Sequence, residues 1–202
     1  MSLVATVKKI KFMARWYLMY NTRLVWLQAR LPKEADKVCL VESDVAGLER
    51  RRRGAQAEIF DRVLKYGKLC AECGGRCCQE PVDRYTIFDQ YIHGGLGRPL
   101  ENYSGRIYSL PWLLANGFRH AVKRVTGIGK EPPPCRYLSP AGCRLKKEMR
   151  PMLCASWFCP KYLRSISPED MLLLARPLKE IENIHCEIYR SSRNPNGNPP
   201  PA

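Results

Sequence analysis

The sequence predicts a mainly α-helical protein, a small helical domain built around cysteine-rich loops. Apolar residues recur at three- and four-residue steps over long stretches, which is typical of amphipathic helices. The stretch Ser167-Pro168-Glu169-Asp170 combines a capping serine, a first-turn proline and acidic residues, and so predicts a helix start. Eight of the 10 cysteines lie in two short stretches, and thiolates gathered in fours are typical ligands of soft metals.

Residues 1–66 are predicted to form basic amphipathic helices, the first a single helix from Val4 to Leu31. Six Lys and Arg residues interrupt its apolar stretches before the roughly 20 residues needed to cross a bilayer, so we expect no transmembrane span. Its apolar stripe is expected to pack on the protein's own core, and peripheral contact with an anionic membrane is the alternative. The stripe consists of Val7, Ile10, Ala14, Tyr17, Leu24, Leu27 and Leu31, widened by Phe12, Trp16, Met19 and Trp26.

A second helix is predicted from about Asp44 to Tyr66. Its apolar face is formed by Val45, Leu48, Ile59, Phe60, Val63 and Leu64. The same helix contains the run Arg50-Arg51-Arg52-Arg53, which we interpret as a solvated helix face, with contact to nucleic acid or an acidic protein as the alternative.

The first cysteine knot lies directly after this helix and contains Cys70, Cys73, Cys77 and Cys78. Two residues separate Cys70 from Cys73, a spacing that lets one turn bring both sulfurs to the same metal ion or cluster edge. Adjacent side chains point in different directions, so we expect Cys77 and Cys78 to serve different metal atoms or different sides of one cluster.

The second knot contains Cys135, Cys143, Cys154 and Cys159. It is looser, but rigid and turn-forming residues precede its members: Pro132-Pro133-Pro134, then Ser139-Pro140-Ala141-Gly142, then Pro151. We therefore expect the backbone to impose the geometry of this knot. Together the two knots predict a metal-binding core over residues 67–164.

Disulfide bonds are the main alternative for these cysteines. The N-terminal segment has no uninterrupted apolar stretch followed by a small-residue cleavage site, which favours a cytoplasmic, reducing environment and argues against structural disulfides. A redox-active Cys70-Cys73 pair would leave six thiols unexplained. The isolated Cys39 and Cys186 are expected to be buried apolar residues.

The motifs Cys70-Ala-Glu-Cys73-Gly-Gly-Arg-Cys77-Cys78, Cys135-Arg-Tyr-Leu and Arg150-Pro-Met-Leu-Cys154-Ala-Ser-Trp-Phe-Cys159, in this order, resemble the YkgJ-like cysteine-cluster family of zinc- or iron-chelating domains. The resemblance covers roughly residues 70–159. It implies metal binding, most plausibly by an iron-sulfur cluster, in a small cytoplasmic protein. The family commonly has a shorter link between the knots, so we expect an inserted helix here, beginning near Ser109-Leu-Pro111.

The family is also similar to part of the flagellin lysine methylases, which leaves an enzyme that binds S-adenosylmethionine open. The chain looks too short for such an enzyme. Gly94-Gly95-Leu96-Gly97 is followed by Arg98-Pro99, which is a poor start for a phosphate-binding helix.

The same eight thiolates suit either an iron-sulfur cluster, expected to be 4Fe-4S, or two closed zinc sites. Both kinds of centre carry negative charge that nearby cations compensate. Several basic residues flank the cysteines, and Arg150 is predicted to lie beside the centre and to donate hydrogen bonds toward it.

The chain is strongly basic, with a formal net charge of +15 over 202 residues. This charge suits an anionic partner: an acidic or redox protein, a lipid surface or nucleic acid, although no nucleic-acid-binding motif is present. A zinc-stabilised binding module that contacts such a partner is the alternative to an iron-sulfur protein with a redox or cluster-supported role.

The remaining predictions concern the C-terminal part of the chain. A helix over residues 165–190 is expected to pack on the core, with a kink or interruption at Pro177. His185 is expected to be a packing residue, with metal ligation as the alternative. Residues 191–202, rich in Ser, Asn, Gly and Pro, are predicted to be a disordered tail. A short strand is predicted at Tyr103 to Tyr108.

Overall fold

The computed structural model describes residues 3–15, 21–31, 42–66, 85–97, 137–139, 142–156, 158 and 160–193. These ranges are mainly helical, which confirms the predicted class. The helices are α1 (Leu3–Ala14), α2 (Asn21–Arg30), α3 (Glu42–Leu64), α4 (Ile87–Gly95), α5 (Met152–Ser156), α6 (Pro160–Ser165) and α7 (Pro168–Arg193). Two short antiparallel strands, β1 (Leu138–Ser139) and β2 (Gly142–Cys143), precede a 3-10 helix at Lys147–Met149.

The long helix α7 is the centre of the fold, and α1, α2, α3 and α4 all pack against it. Its buried apolar side chains recur every three or four residues and so form one face: Met171, Leu174, Leu178, Ile181, Ile184 and Ile188. Ion pairs join Arg51 to Glu180 and Arg176 to Glu58, so α3 and α7 run antiparallel.

The start of α7 is as predicted, whereas the helix is continuous through Pro177 and ends later than predicted. The Ser167 hydroxyl accepts a hydrogen bond from the Asp170 backbone N–H at 3.0 Å, which confirms the capping role. The helix is not interrupted at Pro177, because the continuous apolar face on either side of the proline holds it against the core. It also continues to Arg193, so the predicted tail is wrong for residues 191–193.

Helix α3 lies where the sequence predicts it, and most of its expected apolar face is buried. Val45, Leu48, Ile59 and Phe60 are buried, but Leu64 at the helix end is 51% exposed. A turn follows to Tyr66, whose hydroxyl donates to Asp170 Oδ2 at 2.8 Å. The end of α3 is therefore fixed to the start of α7.

Two helices, α1 and α2, occupy the range for which one helix was predicted, and residues 16–20 between them lie outside the described ranges. The prediction that the apolar stripe packs on the core is confirmed for α2, where Leu24 and Leu27 are buried. It is wrong for α1, where Val7 and Ile10 are exposed and Lys9 is buried instead.

Helix α4 begins with a capping box. The Thr86 hydroxyl oxygen accepts a hydrogen bond from the Asp89 backbone N–H, and the Thr86 backbone N–H donates to the Asp89 carboxylate. At the other end a Cβ on Gly95 would meet the Val45 side chain at 2.8 Å, so glycine allows α4 to approach α3 closely. Gly97 then takes a positive φ of 65°. These glycines serve helix termination and packing.

Several predicted features lie outside the described residues: the whole first knot, the inserted helix from Ser109, the strand at Tyr103 to Tyr108 and residues 194–202. Among the helices of the described ranges, none has the length and apolar character needed to cross a bilayer.

Candidate metal centre

Two of the eight predicted ligands, Cys143 and Cys154, lie in the described part of the chain, and both are half-buried. The other six predicted ligands, Cys70, Cys73, Cys77, Cys78, Cys135 and Cys159, lie outside it. Within the described ranges no three His, Cys, Asp or Glu side chains come together as metal ligands do. Both described cysteines lie in residues 142–156, which we call the second-knot segment.

Backbone pairing fixes Cys143. It ends β2 and lies opposite Leu138 of β1 in the antiparallel pair. Beyond it, the Arg144 N–H donates to the Tyr137 carbonyl at 2.8 Å and extends the pairing by one bond. This agrees with the expectation that backbone geometry, rather than side-chain packing, determines the position of this cysteine.

Cys154 lies in the short helix α5, whose first residue is held by a buried carboxylate. Asp89 Oδ1 accepts a hydrogen bond from the Met152 backbone N–H at 3.0 Å, while Oδ2 accepts from the Thr86 backbone and hydroxyl. Burial raises the pKa of Asp89, against the opposing effects of Arg52 and of these hydrogen bonds. One carboxylate thus joins the start of α4 to the start of the helix that carries Cys154.

A buried arginine on α3 holds the other side of the second-knot segment. The Arg52 side chain is 1% exposed, and its guanidinium makes two hydrogen bonds to the Glu49 carboxylate, at 2.5 and 2.8 Å. It also donates to the Glu148 carbonyl at 3.1 Å and to the Arg150 carbonyl at 3.3 Å. The carbonyl oxygens in the run before Cys154 therefore have fixed partners on α3.

Gln56, one turn further along α3, completes this arrangement. Its Nε2 donates to the Arg150 carbonyl at 2.8 Å, and its Oε1 accepts from Arg52 at 2.5 Å. Although burial opposes it, hydrogen bonding and charge from Arg52 and Arg53 lower the pKa of Glu49, which favours the carboxylate form. We call Glu49, Arg52 and Gln56 the α3 clasp.

The interpretation of the arginine run as a solvated face is wrong for Arg52, whereas Arg50 and Arg51 are exposed. Arg52 is buried, Arg53 pairs with Glu49, and Arg51 reaches across to Glu180 and Glu187 of α7. Three of the four guanidinium groups therefore bind carboxylates of the same chain. This leaves the run with little free charge for nucleic acid or an acidic partner.

Arg150, the residue predicted to lie beside the metal centre, is half-buried in the second-knot segment. Its guanidinium carbon lies 4.6 Å from the centroid of the Phe60 ring, and its Nε donates to the Leu145 carbonyl at 3.3 Å. The side chain is thus fixed against α3 from within the segment that carries Cys143 and Cys154.

An aromatic cluster adjoins Cys154. The Tyr85 ring meets the rings of Tyr137 and His93 edge-on, each with centroids 6.4 Å apart, and its hydroxyl donates to the Met149 carbonyl at 3.4 Å. Burial, followed by the neighbouring Tyr137, Asp89 and Cys154 side chains in that order, raises the pKa of Tyr85 well above its usual range. Tyr85 therefore stays protonated as a hydrogen-bond donor next to Cys154.

His185 and His93 are both buried. The His185 ring is buried against Phe88, with centroids 4.3 Å apart, and burial lowers its pKa to about 3. It is a packing residue of α7, as expected, and the neighbouring Cys186 is buried in the apolar core. Burial also lowers the pKa of His93, and the Arg52 charge adds to this effect.

The sequence analysis missed Arg52, Gln56 and Asp89. For Asp89 a signal was present, since Thr86-Ile-Phe-Asp89 has the spacing of a capping box. For the clasp, the three- and four-residue spacing of Glu49, Arg52 and Gln56 shows that they share a helix face, but this spacing does not reveal that the face is buried.

No protein-family model, curated protein or solved structure matches this chain.

Proposed function

We propose that this protein binds an iron-sulfur cluster through its two cysteine knots and has a redox or cluster-supported role. The support from the sequence is the gathering of eight cysteines into two groups of four and their resemblance to the YkgJ-like family. The observation that carries the proposal is the anchoring of the second-knot segment. Buried side chains from α3 and α4 hold its backbone on both sides of Arg150.

A soft metal centre benefits from ligands whose backbone is fixed before binding, because outer contacts orient the ligands and tune the centre. Cys143 and Cys154 fit such a centre: both are half-buried thiols on a segment whose backbone is bonded to α3 and α4, and cations lie on the same segment. When bound, an iron-sulfur cluster supplies one-electron redox chemistry. Arg150 is the cation that we propose to compensate its negative charge.

The test compares cysteines with different predicted roles in the full chain, purified without oxygen. Cys143→Ala and Cys154→Ala remove proposed ligands, and we expect each to lower metal affinity by at least about tenfold, with loss of iron, acid-labile sulfide and visible absorption. Cys186→Ala is the matched control. Cys186 is a residue of α7 that is buried in the apolar core, so its replacement should leave the iron, the sulfide and the visible absorption unchanged.

A variant lacking Cys70, Cys73, Cys77 and Cys78 extends the test to the first knot, and circular dichroism verifies that each variant is folded. Iron and sulfide that persist in both the Cys154→Ala variant and the first-knot variant would overturn the ligand assignment.

A further inference from the structure

Helix α1 presents an apolar stripe to the outside of the protein. Val4, Val7 and Ile10 are 63%, 42% and 60% exposed, and their three-residue spacing places them along one side of the helix. Ala14, one turn beyond Ile10, is exposed on the same side. In a helix that packs on its own core, these would be the buried positions.

The orientation of α1 is fixed by the opposite side of the helix. Lys9 is buried, and its ammonium donates to the carbonyls of Arg164 and Ile166 at 2.7 and 2.9 Å. Those carbonyls lie at the C-terminal end of α6, where a helix favours a positive charge. Phe12 packs against the core on the same side. The aliphatic stripe cannot turn inward without breaking these contacts.

The charged residues of α1 are all positive. Lys11 is exposed on the same side of α1 as the stripe, Arg15 directly after α1 is also exposed, and the first acidic residue of the chain is Glu34. The complementary surface must therefore combine negative charge with an apolar interior. A nucleic acid offers the charge, but its exterior has no apolar layer for three aliphatic side chains. An anionic lipid bilayer offers both.

We propose that α1 lies in the interface of an anionic lipid bilayer. Val4, Val7 and Ile10 insert between the acyl chains, and Lys11 and Arg15 bind the phosphate groups. Lys9 and Phe12 meanwhile attach the helix to the rest of the protein. This inference is independent of the metal centre, since it uses no cysteine.

The test measures binding of the full chain to sedimented vesicles of phosphatidylcholine alone and of phosphatidylcholine mixed with phosphatidylserine. We expect binding to the mixed vesicles only, weakening as salt rises. The variant Val4→Ser/Val7→Ser/Ile10→Ser should bind about tenfold less tightly or worse, because membrane affinity scales with the apolar area that inserts.

The control variant is Leu64→Ser/Leu172→Ser/Leu173→Ser, which removes the same number of aliphatic side chains that are about half exposed on α3 and α7. It should bind the mixed vesicles like the unmodified chain. Equal losses in both triple variants, or equal binding to both kinds of vesicle, would overturn the proposal. Absence of vesicle binding together with a self-association that the α1 variant abolishes would overturn it in favour of a second copy of this chain.

Discussion

At the scale of single residues, Arg52 shows how this protein uses its charge. Its guanidinium is enclosed by Glu49, Gln56 and two backbone carbonyls of the second-knot segment. Arg51, the preceding residue, makes comparable ion pairs with α7 at the surface, where its side chain is 40% exposed. Adjacent arginines in one run thus have different physical roles, which substitution can separate.

Replacing Arg52 with Met should lower the free energy of unfolding by about 3 to 5 kcal/mol, because the buried Glu49 carboxylate loses one of its two arginine partners and the Glu148 carbonyl loses its donor on α3. Arg51→Met should cost only about 0 to 1 kcal/mol, as is typical of exposed pairs. Urea unfolding followed by circular dichroism measures both. Equal costs for the two variants would contradict the role assigned to the α3 clasp.

The run Arg50-Arg51-Arg52-Arg53 could not be resolved into these roles from the sequence. A helical pattern predicts which residues share a face, but burial depends on what packs against that face, and here it is the 3-10 helix at Lys147–Met149, almost a hundred residues away in the chain. The eight clustered cysteines differ from the arginines in this respect, because their spacing alone predicts that they are metal ligands.

His185 should make the protein sensitive to moderately acidic conditions. Its folded-state pKa, about 3, lies below the unfolded value of about 6.5. In the range between these values the unfolded chain binds a proton that the folded chain does not, so stability is fully present above pH 6.5 and falls as the pH is lowered. The loss is at most about 1.4 kcal/mol for each pH unit.

The variant His185→Phe keeps an aromatic ring against Phe88 and removes the titrating group. Between pH 6.5 and 5, its free energy of unfolding should change less with pH than that of the unmodified chain. His93→Phe should remove a separate part of the slope, since burial also lowers the pKa of His93. An unchanged slope in His185→Phe would contradict this account.

At the scale of elements, the predictions from the sequence hold where a helix has one apolar face and an evident neighbour. Helices α3 and α7 satisfy this condition, and their approximate positions and the Ser167 cap follow from ordinary helix rules. Helix α1 does not satisfy this condition. Lys9 forms hydrogen bonds with carbonyls at the end of α6, and no periodicity in α1 could reveal these contacts.

Lys9 should therefore determine whether α1 stays attached. Lys9→Met removes two charge-assisted hydrogen bonds and should lower the free energy of opening α1 by about 2 kcal/mol. Lys11→Met, at an exposed position of the same helix, should change it by less than about 0.5 kcal/mol. Amide hydrogen exchange of residues 3–15, compared with that of α3, measures the difference. Equal exchange in the two variants would show that Lys9 does not anchor the helix.

At the scale of the whole molecule, the protein combines a helical scaffold with a cysteine-bearing segment attached to it at defined points. The pairing of α3 with α7 forms the scaffold, and the α3 clasp and Asp89 attach the second-knot segment to it. The net charge of +15 is distributed unevenly, since the arginine run is largely neutralised within the chain while α1 has no acidic residues. The second-knot segment and the proposed lipid contact thus belong to different parts of the protein.

The central claim is that the two cysteine knots hold an iron-sulfur cluster, and the metal content of the protein tests it most directly. The full chain, purified without oxygen, is assayed for iron, acid-labile sulfide and zinc, and its visible absorption is recorded. We predict iron and sulfide in similar amounts, with the broad visible absorption of a thiolate-bound cluster that mild oxidants bleach. A colourless protein that contains stoichiometric zinc and no sulfide would contradict the account.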